Sequence, residues 1–132
     1  AADINDDGFP DLFVTNRTYY SAGKKVSLQP GQNRLFMNRG NRNGWIKIRL
    51  QGSRSNRDGI GARITVTAGD LVQHHETTSA HGYNSTNDPV ITFGVGQRVS
   101  IDRVEVRWPS GAVQTILAPG LRKTVNIVEP AP

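Results

Sequence analysis

Asp3-Ile4-Asn5-Asp6-Asp7-Gly8-Phe9-Pro10-Asp11 is the stretch from which the rest of the chain is read. Oxygen-bearing side chains recur at Asp3, Asn5 and Asp7, and Gly8 and Asp11 follow. This is the D-x-[DN]-x-[DN]-G opening of a calcium-binding loop. A hard cation such as Ca²⁺ takes about six to eight oxygens at roughly 2.3–2.6 Å, so a short segment must turn tightly and aim alternate side chains inward. Gly8 permits that turn, because it has no Cβ to clash at positive φ. The Phe9 carbonyl falls where such loops supply a main-chain oxygen. The expected metal ligands are therefore Asp3, Asn5, Asp7, Phe9 through its carbonyl, and Asp11, and the expected cofactor is Ca²⁺.

The stretch then departs from helix-flanked calcium loops. Those close with a bidentate Glu at the twelfth loop position, and here that position is Val14. The last oxygen donor arrives early, at Asp11, and Leu12-Phe13-Val14-Thr15 has the composition of a strand. Pro10 holds Phe9 extended and suits the first position of a strand. A calcium loop feeding a β-strand is predicted; an ordinary Asp/Asn/Gly turn would use the same residues for local reasons. The stretch resembles the FG-GAP or VCBS repeat, whose units carry D-x-[DN]-x-D-G-x-x-D-[LF]. Asn33-Arg34-Leu35-Phe36-Met37-Asn38 is similar to the N-x-L-[FY]-x-N strand that ends such a unit. The resemblance spans residues 2–40 and implies one blade-like piece of a β-propeller, which normally has several. The chain starts almost inside the motif, so a processed or truncated piece of a longer protein is expected.

Working outward, 132 residues suffice for one domain, or one domain plus a fragment. Hydrophobic residues make up 36% and charged residues 20%, and the 14 glycines accompany recurrent turn signals, which favours many short strands over helices. No long apolar run predicts a transmembrane helix. With no cysteine, stability must come from burial or bound ions, and the compartment is left open. A calcium loop without the twelfth-position Glu should bind weakly, with Kd of about 10⁻⁴–10⁻³ M, which extracellular calcium would fill. An extracellular or cell-surface location is expected on that ground. The net charge is +5. Lys and Arg are scattered and alternate with apolar residues, as on a solvated face, and no nucleic-acid-binding signature accompanies them. A basic face of this kind suits acidic polysaccharide or a partner's acidic patch.

Residues 17–32 read as a long loop, with Tyr19 and Tyr20 as either a binding surface or local packing. Residues 39–44 read as a linker, dividing the chain into 1–40 and 41–132. From Trp45 onward the pattern has period two: Ile46, Ile48 and Leu50 against Lys47 and Arg49, a half-buried strand. Strands are likewise predicted at 63–67, 71–78, 90–93, 103–108, 112–117 and 123–128. Turns at intervals of roughly 8–12 residues are the signature of an all-β sandwich or barrel. The expected fold is thus all-β: a propeller-blade-like calcium-loop unit, then an antiparallel β-sandwich or barrel-like domain.

Four segments of the second unit carry a further resemblance. Ser55-Asn56-Arg57-Asp58-Gly59-Ile60-Gly61-Ala62-Arg63 is similar to an SNRDAIGARV hallmark, and His81-Gly82-Tyr83-Asn84-Ser85 to a G-x-GYxS segment. Phe93-Gly94-Val95-Gly96 is similar to HFGLG, and Trp108-Pro109-Ser110-Gly111 matches WPSG. In this order they resemble the ASPIC/UnbV domain, which follows FG-GAP repeats in secreted proteins. Thr92 and Thr86 stand where that family often has His and Gln. The resemblance implies an extracellular accessory or binding module without catalytic activity.

Other chemistry reads as secondary. Asn56-Arg57-Asp58-Gly59 is first a turn, with Asn56 or Asp58 bonding local backbone and Gly59 or Gly61 at positive φ; a second cation there is the other reading. His74, His75, Glu76 and His81 include zinc-type ligands, but on a strand only His74 and Glu76 share a face. Ser110 lacks the Gly-x-Ser-x-Gly elbow of a nucleophile and suits a hairpin turn. Asn16-Arg17-Thr18 and Asn84-Ser85-Thr86 are glycosylation sequons. The leading expectation is a non-catalytic extracellular calcium-binding module for adhesion or for protein or glycan interaction, with structural Ca²⁺. The alternative is a self-assembling subunit pairing with copies of itself through open β edges. An enzyme ranks last, because Asp58, Asp70, Glu76, Asp88, Asp102, Glu105 and Glu129 sit in no catalytic motif. No nucleic-acid partner is expected.

Overall fold

The computed structural model describes residues 1–22, 25–79, 82, 86 and 88–131, with the main chain alone for 17–22 and 25–30. His81, Tyr83, Asn84 and Ser85, singled out above, lie outside the described residues, as do the side chains of Tyr19 and Tyr20. The chain is all-β, and its contacts divide it into two compact units, Ala1–Gly40 and Asn41–Pro132. Among the described residues no helix is long and apolar enough to cross a membrane.

In the first unit, β1 (Leu12–Val14) pairs antiparallel with β4 (Arg34–Phe36), Leu12 opposite Phe36 and Phe13 opposite Leu35. Between them β2 (Arg17–Ala22) and β3 (Lys25–Pro30) form a hairpin, with Ala22 opposite Lys25. The expected loop over 17–32 is therefore corrected to two paired strands. Thr18, Tyr19, Tyr20, Val26 and Leu28 are β-prone, and antiparallel pairing gives their N–H and C=O groups partners that a bare loop lacks.

The second unit contains the core. β6 (Arg63–Ala68) lies between β7 (Leu71–Glu76) and β9 (Arg103–Arg107), and β10 (Val113–Leu117) adds beside β9, giving a four-stranded antiparallel sheet in the order β10-β9-β6-β7. Gly69-Asp70 closes the β6–β7 hairpin with positive φ at Gly69, the first central position, as a II′ turn requires. A three-stranded sheet follows the order β11 (Thr124–Val128), β5 (Gly44–Gln51), β8 (Ile91–Gly96). Ile46, Ile48 and Leu50 of β5, Ile64 and Val66 of β6, Phe93 and Val95 of β8, and Val104 and Val106 of β9 belong to one buried cluster drawing on both sheets. Burying each such side chain contributes about 1.5–3 kcal/mol.

Three details correct the sequence reading. The second unit is not wholly antiparallel: β11 runs parallel to β5, Val125 opposite Ile48, because all of β6 to β10 intervenes as a crossover. Neither sheet closes on itself, so the described residues form no closed barrel. Nor is β5 half-buried. Its inward residues are sealed as expected, but Lys47 on the other face is only 3% exposed, with its ammonium 5.4 Å from the centre of the Trp45 ring.

Candidate functional site

The acidic stretch folds as a tight turn closed by the Ala2–Asp11 bridge, with positive φ at Asp6 and Gly8. Asp3 anchors its centre: Oδ1 accepts the Asp7 N–H at 3.0 Å and Oδ2 the Gly8 N–H at 2.6 Å. Asp7 accepts the Phe9 N–H through Oδ1 and the Asn5 amide N–H through Oδ2. Asp11 is 1% exposed, and its carboxylate accepts N–H groups from Ile4 and Asn38 at 2.9 and 2.8 Å, tying the turn to the end of β4.

The turn thus brings Asp3, Asn5 and Asp7 together and sets Asp11 at its closing bridge. The donor set is oxygen alone, the chemistry a hard cation takes. Asp7 and Asp11 each use two of the roughly four lone-pair sites of a carboxylate. Asn5 presents Nδ2 to Asp7, so ligation would turn its amide over to bring Oδ1 inward. Among the described residues no three His, Cys, Asp or Glu side chains already converge as a metal cage. The residues fit a calcium loop in kind and order, in a conformation held by main-chain hydrogen bonds.

The second unit is organised around Glu129, which sequence reasoning left without a role. It is 2% exposed, just beyond β11. Its Oε2 accepts the N–H groups of Ser53, Arg54 and Ser55 at 2.9, 2.8 and 2.7 Å. Its Oε1 accepts the hydroxyls of Ser55 and Ser110. Burial by itself would push this carboxyl's pKa up. The Ser110 hydroxyl and the N–H groups of Ser55, Arg54 and Ser53 outweigh that and hold it well below the usual carboxylate range. No local signal marks the contact, because its partners lie 19 and 74 to 76 residues away in sequence.

Glu129 thereby ties together two segments quoted above. Asn56 adds its own clamp, its side chain bonding both the N–H and the C=O of Ile60. Gly59 takes φ 64° under Leu50, where an added Cβ would lie 2.8 Å from the Leu50 Cβ. Thr77 donates to the Gly59 carbonyl and accepts the Ala62 N–H. Held in this way, the loop exposes Arg54, Arg57 and Asp58. Ser110 sits in the β9–β10 turn, closed by the Gly111 N–H to the Trp108 carbonyl, so its hydroxyl supports structure.

His74 and Glu76 face outward on β7, His74 Nδ1 lying 3.0 Å from Thr65 Oγ1 and Glu76 pairing with Arg63. His75 turns the other way, edge-on to Phe93. The outward residues of β6, β7 and β9 line a shallow groove of about 490 Å³, among them Arg63, Thr65, Thr67, His74, Arg103 and Arg107.

The family model described as ASPIC and UnbV matches residues 52–132. No curated protein matches the chain. The matched span contains the 53–60 loop, Ser110 and Glu129, and the acidic turn precedes it.

Proposed function

This chain belongs to the ASPIC and UnbV family, and from that premise we propose that it is a non-catalytic, extracellular calcium-binding module for protein or glycan interaction. The observation carrying the calcium reading is the acidic turn itself, where main-chain N–H groups orient Asp3 and Asp7, the Asn5 amide donates to Asp7, and Asp11 closes the bridge. Bound there, Ca²⁺ would neutralise carboxylates that otherwise repel one another and would hold the entry to β1. Asp3, Asn5, Asp7, the Phe9 carbonyl and Asp11 would be its ligands, and its role is structural. We read 1–40 as a blade-like unit and 41–132 as a sandwich, which the core cluster shared by both sheets supports.

The non-catalytic reading is supported by Glu129 and Ser110, the buried carboxylate–hydroxyl pair of the second unit. Five donors surround that carboxylate, three of them main-chain N–H groups, so it holds loops in place. Isothermal titration with calcium, paired with melting curves, tests the metal reading. Heat and a rise in melting temperature at millimolar-range calcium, both lost in Asp7→Ala, are expected; neither signal in the unaltered protein would defeat it.

A second reading, self-assembly, is favoured by one observation. β1 and β4 expose Leu12, Phe13, Val14, Leu35 and Phe36 together, an apolar ribbon of the kind that other chains cover. Light scattering across concentration decides it: a steady monomer mass sets this reading aside.

A further inference from the structure

The outer face of the four-stranded sheet is a grid set by strand register. Arg107, Arg63 and Glu76 lie in one row across β9, β6 and β7; Glu105, Thr65 and His74 in the next; Arg103, Thr67 and Val72 in the third. Two of its three arginines are engaged, Arg63 with Glu76 at 3.0 Å and Arg107 with Glu105 at 3.1 Å. Arg103 makes no ion pair or hydrogen bond through its side chain among the described residues. Beside it, Thr67 Oγ1 is buried with no hydrogen-bond partner among the described residues. A buried hydroxyl left unpaired costs free energy, and this one belongs to the residue opposite Arg103 on β6.

We propose that this groove binds an acidic polysaccharide, with the exposed Arg103 guanidinium receiving a sulfate or carboxylate group of the sugar chain. Charge complementarity selects an anion, since the unpaired cation has no partner of its own. The remaining groups select a sugar over an acidic peptide. Glu76, Glu105 and Thr65 supply acceptors for the hydroxyls that a sugar chain carries and that acidic side chains lack. The grid contains no Trp, Tyr or Phe, so stacking of an uncharged sugar has no platform there. This inference rests on the binding-module reading and names its ligand class, and it is independent of the calcium loop.

Heparin serves as the sulfated probe, with binding followed by titration calorimetry at low and at roughly physiological ionic strength, in calcium and again in chelator. Arg103→Ala should weaken binding about five- to tenfold, and the affinity should fall as salt rises. Arg54→Ala with Arg57→Ala, on the separate 53–60 loop, should leave affinity intact. Unaltered affinity in Arg103→Ala overturns the proposal, as does absence of heparin binding or tighter binding of polyglutamate. Binding abolished by chelator would overturn it as well and return recognition to the acidic turn.

Discussion

In Ala1–Gly40, β1 and β4 leave Leu12, Phe13, Leu35 and Phe36 about half exposed, while in Asn41–Pro132 the side chains of Ile46, Ile64, Val95 and Val106 are sealed from solvent. Among its described side chains the first unit has little apolar interior, and its acidic turn is ordered by polar pins mostly over short sequence distances, Asp3 to Asp7 and Gly8, Asp7 to Phe9 and Asp11 to Ile4, with Asp11 also reaching Asn38. The second has a core and adds long-range pins, chief among them the buried Glu129, bonded to residues 74 to 76 positions earlier. Each unit buries a carboxylate that collects main-chain N–H groups, Asp11 in one and Glu129 in the other. A local turn holds its shape with little entropy to overcome, whereas closing a long span needs the free energy that core burial supplies. The first unit is therefore the part whose stability a bound ion or a covering partner can alter most.

The most forceful way to break this contrast removes apolar bulk from both units. Ile64→Ala should cost about 2–5 kcal/mol in chemical denaturation, because the cavity cannot refill. Phe13→Ala should cost less than about 1 kcal/mol. An equal loss at both sites would mean that Phe13 is covered in solution and that the two units do not differ as described.

Glu129→Gln should come next, lowering the melting temperature by more than about 5 °C, since an amide cannot accept on both sides as a carboxylate does. The pH dependence has a definite sign. The folded-state pKa of Glu129 lies below its ordinary value of 4.5, so its contribution is complete above that value and is lost as pH falls toward the folded pKa. Melting temperature should decline as the solution is acidified below about 4.5, and Glu129→Gln should flatten that decline. A slope unchanged by the substitution would show that the carboxylate is not the hub of the second unit.

Asp11→Asn sharpens the comparison from the other side. One of the Ile4 and Asn38 amides loses its acceptor, and hydrogen exchange there should accelerate about tenfold, while β6 and β9 amides stay as they were. Exchange rising equally in both units would mean that they open together.

The smallest effect is expected at the surface pair Arg98–Asp70, 2.8 Å apart with Asp70 largely exposed. The hydrogen bond from Arg98 holds the Asp70 carboxyl below its usual pKa. Arg98→Ala should let that value rise in an NMR titration, with a melting temperature unchanged within about 1 °C. A larger loss would show that exposed ion pairs, and not the buried Glu129 alone, hold the second unit together.

Strand content was legible in the chain because alternation is a local property. Ile46, Ile48 and Leu50, or Val104 and Val106, announce one buried face wherever their strand ends up. The Gly69-Asp70 and Pro109-Ser110-Gly111 turns and the turn-forming character of residues 3–11 were legible for the same reason: a few neighbouring residues determine them. Partnership was not legible. The strand quality of residues 17–30 depended on the hairpin that pairs them, and the parallel placement of β11 on β5 on everything folded between. Burial of Lys47 and collection of three N–H groups by Glu129 depend on residues far away in sequence. So does the meeting of Arg103 and Thr67 in one row, because register brings distant side chains together and no period along the chain records it.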